Sequence, residues 1–292
     1  MDFKIEARPF NGFCVISGLS KADLDLDKTL DCGQAFRWRH KVSDHPYWEG
    51  VIGDRLVNVM AHSRVDGSYE IVTDYPYELR DEFIKYFALD IDFNLDNFEL
   101  NGYERRAFEH GRGIRILRQD FWETMVSFII SQRNSIPRIS NTIEKLCRVY
   151  GKPLLKSNGE VSKDRWGFPR AEEIYEDTSK LYTIGLGYRA EYIEKLVKDI
   201  VEHRCNILSM NLDEIETSLL DALLQSIKGI GPKVSNCILL FGCGRYEVFP
   251  IDTWITKVIS EHFGGTFNAK RYGKFAGLVQ QYLFYYARYS NK

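Results

Sequence analysis

The stretch LLQSIKGIGPKVSNCILLFG, residues 223–242, places two apolar helix-period segments on either side of the turn Lys228-Gly229-Ile230-Gly231, and Pro232 opens the second segment. A connection this short makes the two helices antiparallel neighbours. Proline at the first helical position costs nothing, because that N–H would have no intrahelical partner. Glycines at Gly229 and Gly231 let the turn take positive φ and come close to a partner. The opening N–H groups of the second helix, with the positive end of its dipole, make a site for a phosphate. An ordinary helical hairpin with capping glycines explains the same pattern, so the glycines alone do not decide.

Lys233 shifts the balance. It stands in the first turn of the second helix, where the dipole disfavours a cation. A free lysine, with a pKa of about 10.4, is neutral in only about one molecule in 2,500 at pH 7. A helix N-terminus and partial burial both raise that fraction and make an amine nucleophilic. Cys237, four residues on, shares the face of Lys233, although a small core residue is the plainer reading of it. Downstream, EVFPIDTWITKVI (247–259) sets Asp252 as the N-cap of a further helix, a role worth about 1 kcal/mol as structure alone. The same position lets its carboxylate face Lys233.

Outward from the hairpin the chain divides by texture. Residues 1–100 alternate apolar and polar in short runs, FCVIS (13–17), AFRWR (35–39), YWEGVI (47–52), RLVNVMA (55–61) and YEIVT (69–73), which predict an antiparallel sheet with a two-residue hairpin at Gly53-Asp54. Residues 101–292 carry helical periodicity, as at Met125, Phe128 and Ile129, at Ile139, Ile143 and Leu146, and at Ile193, Leu196 and Val197. Pro137 and Ser135 mark a helix start, and Leu219, Leu220, Leu223 and Leu224 the inner face of the helix before the turn. The expected class is α+β: a sheet domain, 1–100, then a helical domain, 101–292, with its hairpin at about 218–242.

The 292 residues are 44% hydrophobic and 27% charged, which excludes disordered and fibrous classes. No apolar run approaches the roughly 18 to 20 residues of a membrane span, and MDFKIEARPFNGF is not a signal sequence, so a cytoplasmic location without a membrane partner is expected. Six scattered cysteines include no CxxC and read as reduced thiols rather than metal ligands. The net charge of −2 argues against a nucleic-acid partner at face value. It hides an asymmetry: residues 1–100 hold 11 Lys and Arg against 19 Asp and Glu, residues 101–292 hold 28 against 22. A polyanion would therefore meet the later part.

The hairpin, Lys233 and Asp252 together resemble the helix-hairpin-helix DNA glycosylase superfamily, and within it the bifunctional 8-oxoguanine DNA glycosylase/AP lyase branch. CGQAFRWR (32–39), GIRILRQDFWETMVSFIISQ (113–132), IGLGYRAEYI (184–193), the hairpin with FPIDTW, and FAGLVQQYLF (275–284) are similar to family segments and follow in family order. The resemblance implies that Lys233 attacks C1′ of the damaged nucleotide and that Asp252 stabilises the sugar cation. It places the carbonyl of Gly33 against N7–H of the lesion, Gln280 on the Watson–Crick edge, the base between Cys237 and Phe284, and Trp254 at the pocket. Tyr188 and Arg189 would wedge into the gap left by the flipped nucleotide. Gly229 and Gly231 would hold a phosphate, and the carbonyls of Gln225, Ile227 and Ile230 a structural ion. No cofactor or catalytic metal is implied, and the partner is duplex DNA containing 8-oxoguanine, met by a monomer, nucleoid-associated if the source is prokaryotic.

Several positions depart from that pattern. Arg133 stands where the branch carries an asparagine that contacts the orphaned cytosine, followed by Asn134, while Arg138 matches a family arginine that checks the opposite base. Trp254 replaces a histidine, and Ala287 an aspartate. The iron–sulfur cysteines of the endonuclease III relatives are absent from the sequence. Two other readings compete. A monofunctional alkylpurine glycosylase would keep Asp252 but has no use for Lys233, and a noncatalytic hairpin module that only holds DNA needs neither Asp252 nor Gln280.

Overall fold

The computed structural model describes residues 5–63, 68–93, 95 and 98–290. Strands β1 (Glu6–Phe10) and β2 (Phe13–Leu19) are followed by a short helix, α1 (Leu26–Asp31), and then by β3 (Arg39–Lys41), β4 (Tyr47–Ile52), β5 (Arg55–Ser63) and β6 (Tyr69–Thr73). The sheet order is β1-β2-β6-β5-β4-β3, all antiparallel. Alternation puts Cys14 and Ile16 of β2, Val57 and Val59 of β5 and Ile71 of β6 on one face, where Leu24, Phe83, Phe87 and Leu117 close the core. Ile52 pairs with Arg55 across the expected two-residue turn, and Gly53 supplies its positive φ of +60°.

Two local expectations fail here. Residues 35–38 form no strand, and only Arg39–Lys41 of that neighbourhood pairs. Phe36, Arg37 and Trp38 are all buried in succession, each against a different part of the molecule. Phe36 turns to the helical part, Trp38 packs over Gly50, and Arg37 reaches Glu144 at 3.2 Å. Helix α1 was not expected; Asp25 caps it by accepting from the Lys28 N–H at 3.1 Å.

The rest is mostly helical, as the α+β reading requires: α2 (Arg80–Tyr86), α3 (Gly102–Gly111), α4 (Phe121–Ser131), α5 (Ile136–Tyr150), α6 (Ala171–Tyr175), α7 (Arg189–Val201), α8 (Thr217–Ser226), α9 (Pro232–Gly242), α10 (Thr253–His262) and α11 (Ala276–Tyr289). Pro137 lies in the first turn of α5, but Ser135 at its N-cap makes no capping hydrogen bond. In α8, Leu220 and Leu224 face inward, whereas Leu219 is 57% exposed and lies off the inner face.

Two further strands, β7 (Pro153–Leu155) and β8 (Val161–Trp166), sit between α5 and α6 and join the sheet, β7 pairing parallel with β5 at Arg55 and Leu155. Sheet and helices are thus continuous. Arg165 on β8, fully buried, donates to Glu49 Oε1 at 3.0 Å and to the Arg37 carbonyl at 2.7 Å. Arg37 also faces Glu123 at 3.4 Å. This buried ion network fixes the 34–38 loop against α4 and α5, and that loop follows Gly33.

Candidate active site

Helices α8 and α9 and their turn form the expected hairpin. Gly229 has φ +91°, and a Cβ there would lie 2.5 Å from the Tyr192 ring of α7, so the turn rests on that ring. Gln132 Nε2 also holds the Gly229 carbonyl at 3.0 Å. Gly231 differs from the expectation: its φ of −98° is ordinary, and a side chain there would meet nothing within 4 Å. Its lack of a side chain keeps the mouth of α9 open. No side chain caps α9, so the N–H groups of its first turn stay available to an anion. At the end of α8, the Ile227 carbonyl accepts from the Ile230 N–H at 3.0 Å and keeps a second lone pair.

Lys233 is half-buried, its ammonium 5.3 Å from the centre of the Phe128 ring. Phe128 also meets Phe36 edge-on at 5.5 Å, so one aromatic ring positions both the amine and the loop after Gly33. Burial pushes the Cys237 thiol up, while Lys233 beside it acts in the opposite direction. Burial likewise raises the Asp252 carboxyl, against the Ile255 N–H, which it accepts at 2.8 Å as N-cap of α10, and against the charge of Lys233. Lys233, Cys237 and Asp252 therefore share one electrostatic environment. Lys233 and Asp252 do not form an ion pair, although the charge of Lys233 acts on the carboxyl.

A second group converges on Gly33. Its φ is +81°, and a Cβ there would lie 2.8 Å from Ile136 Cδ1, 3.4 Å from Arg288 Nη1 and 3.7 Å from Phe284 Cε1. Gln34 holds this loop and has no local pattern of its own in the sequence beyond its place in the CGQAFRWR segment. Fully buried, it donates to the carbonyls of Thr29 at 3.0 Å and Arg115 at 2.7 Å, and accepts from the Leu117 N–H at 2.9 Å. The Cys32 thiol next to Gly33 is pushed up to about 12 by burial and is no nucleophile. On α11, Gln280 is buried and accepts at Oε1 from Gln281 Nε2 at 3.1 Å, and Phe284 lies one turn further along.

The remaining expected residues line the surface around these groups. Tyr188 is 47% exposed at the start of α7, edge-on to Tyr192. Arg189, expected beside it as a wedge, instead turns inward: it is 8% exposed and donates to the carbonyls of Gln132 at 3.0 Å, Leu186 at 3.1 Å and Arg133 at 3.3 Å. The carbonyls of Gln132 and Arg133, just beyond α4, and of Leu186, just before α7, take its hydrogen bonds, so it ties the 132–133 turn to the start of α7. Arg133, exposed, takes φ +47° there, a conformation unusual for a residue with a side chain. Asn134 binds the Ile130 carbonyl at 3.3 Å, and Arg138 is exposed in the first turn of α5. Trp254 is 40% exposed on α10, and its N–H, rather than its ring, acts on Asp252.

Residues 17–125 match the family profile of the 8-oxoguanine DNA glycosylase N-terminal domain, and residues 126–275 that of the HhH-GPD superfamily base excision DNA repair protein. The N-glycosylase/DNA lyase of Saccharomyces cerevisiae is 31% identical over 84% of this chain and 70% of its own length. The solved structure of MBOgg1 in complex with a low affinity DNA ligand superposes with a TM-score of 0.86 at 33% identity, covering 99% of this chain and 100% of that one. The Clostridium acetobutylicum 8-oxoguanine glycosylase/lyase, solved with duplex DNA containing cytosine opposite 8-oxoguanine, superposes with a TM-score of 0.83 at 28% identity over the whole of both chains.

Proposed function

The chain belongs to the HhH-GPD superfamily of base excision DNA repair proteins, in its 8-oxoguanine DNA glycosylase branch, and from that membership we infer that it excises 8-oxoguanine from duplex DNA and then nicks the strand. The observation that carries the reading is the placement of Lys233 and Cys237 one turn apart on α9, with Asp252 at the N-cap of α10 where the charge of Lys233 acts on its carboxyl. Lys233 Nζ, once deprotonated, gives its lone pair to C1′. The C1′–N9 bond breaks, and the base leaves with the electron pair of that bond and takes up a proton. Asp252 stabilises the positive charge that builds on the sugar. Opening of the C1′–O4′ bond yields an imine to Lys233. The imine acidifies C2′–H, and loss of that proton expels the 3′ phosphate by β-elimination.

Gly33 is the lesion reader in this scheme. Its carbonyl accepts N7–H of 8-oxoguanine and faces a lone pair in guanine. Gln280 takes the Watson–Crick edge, and Phe284 and Cys237 enclose the ring. Tyr188 fills the gap in the stack. The first turn of α9, with Gly229 and Gly231, holds a backbone phosphate, and an ion on the carbonyls of Gln225, Ile227 and Ile230 would stiffen the turn. Arg133, Asn134 and Arg138 face the opposite strand, and the exposed Arg133 can read a base there by its fork of donors. The protein works as a monomer of two parts, 1–100 and 101–292, in the cytoplasm or on the nucleoid.

Borohydride trapping on duplexes containing 8-oxoguanine tests the scheme. Wild-type protein should become covalently attached to the DNA, and Lys233→Gln should not. Undiminished trapping by that variant, or no trapping by active wild-type protein, would rule out the Schiff base.

A further inference from the structure

Gln280, Phe284 and Arg288 recur every four residues on α11, so their side chains follow one another along one side of the helix. The first two have places in the proposed site; the third has none. Arg288 Nη1 is nevertheless buried and makes no hydrogen bond. A buried donor left without a partner is costly and calls for a ligand or water to satisfy it. The same atom lies 3.4 Å from where a Cβ on Gly33 would stand, with Phe284 Cε1 at 3.7 Å from that point. The guanidinium is held there by packing on the Tyr289 ring at 4.9 Å.

We propose that Arg288 Nη1 donates a hydrogen bond to the C8 carbonyl oxygen of the extruded 8-oxoguanine. The inference rests on the assignment of Gly33 to N7–H and of Gln280 to the Watson–Crick edge. N7 and C8 are adjacent ring atoms, so a donor beside Gly33 meets whatever C8 carries. In 8-oxoguanine that is a carbonyl oxygen, and in guanine it is a C–H, which satisfies no donor. The spacing agrees with this placement. Eight helical residues rise about 12 Å, which is the span of a purine with a hydrogen bond at each end, from Gln280 at the Watson–Crick side to Arg288 at C8. Gly33 reads the tautomer at N7, and Arg288 reads the added oxygen itself, by a charge-assisted hydrogen bond of the stronger kind.

Single-turnover excision by the full chain tests the role with two bases, 8-oxoguanine and 8-thioguanine, which keeps N7–H but offers sulfur, a poorer acceptor, at C8. Arg288→Leu should excise 8-oxoguanine about 10- to 100-fold more slowly than wild type and lose most of the preference for oxygen over sulfur. It should nick a preformed abasic site at the wild-type rate, because that step has no base to read. Arg288→Lys, which restores a donor, should recover part of the loss. Excision of 8-oxoguanine at the wild-type rate by Arg288→Leu, or an unchanged oxygen-to-sulfur ratio, would overturn the proposal. Equal losses on the abasic site would also overturn it, since they would make Arg288 a phosphate or packing residue. Wild-type protein inert toward 8-oxoguanine would instead fail the proposed function, and this role with it.

Discussion

Asp252 carries two duties that one pair of substitutions separates. As N-cap of α10 its carboxylate accepts from the Ile255 N–H at 2.8 Å, and as a buried acid its ionised form is disfavoured. Asparagine caps a helix about as well as aspartate and cannot ionise, whereas alanine cannot cap; the cap is worth about 1 kcal/mol. In a chain of this size that difference is about 2 °C in Tm. A carboxyl whose folded pKa is raised contributes its stability fully below its unfolded value and loses it as pH rises through the folded one. At pH 7 the wild-type protein thus bears an unfavourable buried charge. Asp252→Asn is expected to melt at or above wild type at pH 7, with the gap closing as the pH falls toward about 4, and Asp252→Ala to melt about 2 °C below Asp252→Asn. Both should lose about 10²- to 10³-fold in single-turnover excision with little change in DNA affinity measured by fluorescence anisotropy. The wild-type rate should also fall on the acid side at a pH above the ordinary carboxylate range, and Asp252→Asn should lack that limb. The reasoning fails if Asp252→Asn melts as low as Asp252→Ala at pH 7, or if its excision stays within a few-fold of wild type.

Gly229→Ala would force a side chain into the left-handed region at a cost of about 1–2 kcal/mol and against Tyr192, so thermal melting should show a drop of several degrees; an unchanged Tm would refute the tight seat of the hairpin turn. Arg189→Met would strand the carbonyls of Gln132, Leu186 and Arg133, at about 1–3 kcal/mol for a buried group left unpaired, and should lower both Tm and DNA affinity. A loss of affinity with no loss of Tm would return Arg189 to the role of a DNA wedge.

What the sequence made legible is what short-range pattern encodes. Asp252 as a cap, Pro232 at a helix start and the Gly53-Asp54 hairpin are decided by neighbours within four residues, and each appears in the structure where the pattern placed it. The inward turn of Arg189 is not legible in the sequence, because it depends on the carbonyls of Gln132 and Arg133, some 57 positions away in the chain. Strands β7 and β8 were missed for a similar reason: they are short, and β7 takes its partner from β5, in the earlier part of the chain. Gln34 has no local pattern of its own beyond its place in the CGQAFRWR segment. An amide between a cysteine-glycine pair and an apolar run has no periodicity to read, and its hydrogen bonds to Arg115 and Leu117 close only when residues 115–117 pack beside the loop.

That last contact bears on how the site works. Gly33 can present its carbonyl to a base only if the loop does not move when the base arrives, and glycine by itself gives freedom rather than rigidity. The rigidity comes from the two residues that flank the loop on its far side. Gln34 ties it to the 115–117 backbone, and Arg37 ties it through Glu123 and Glu144 to the helices that carry Phe128 and Ile136. Phe128 in turn carries the ammonium of Lys233 on its ring. The proposed reader of the lesion and the proposed nucleophile are therefore referred to a common support, α4. A base seated correctly against Gly33 thus brings its C1′ toward Lys233, whereas one held away from Gly33 would be presented to the amine out of line. Under the proposed function, that shared helix would couple recognition to chemistry and carry the discrimination gained at N7 into the rate of bond breaking.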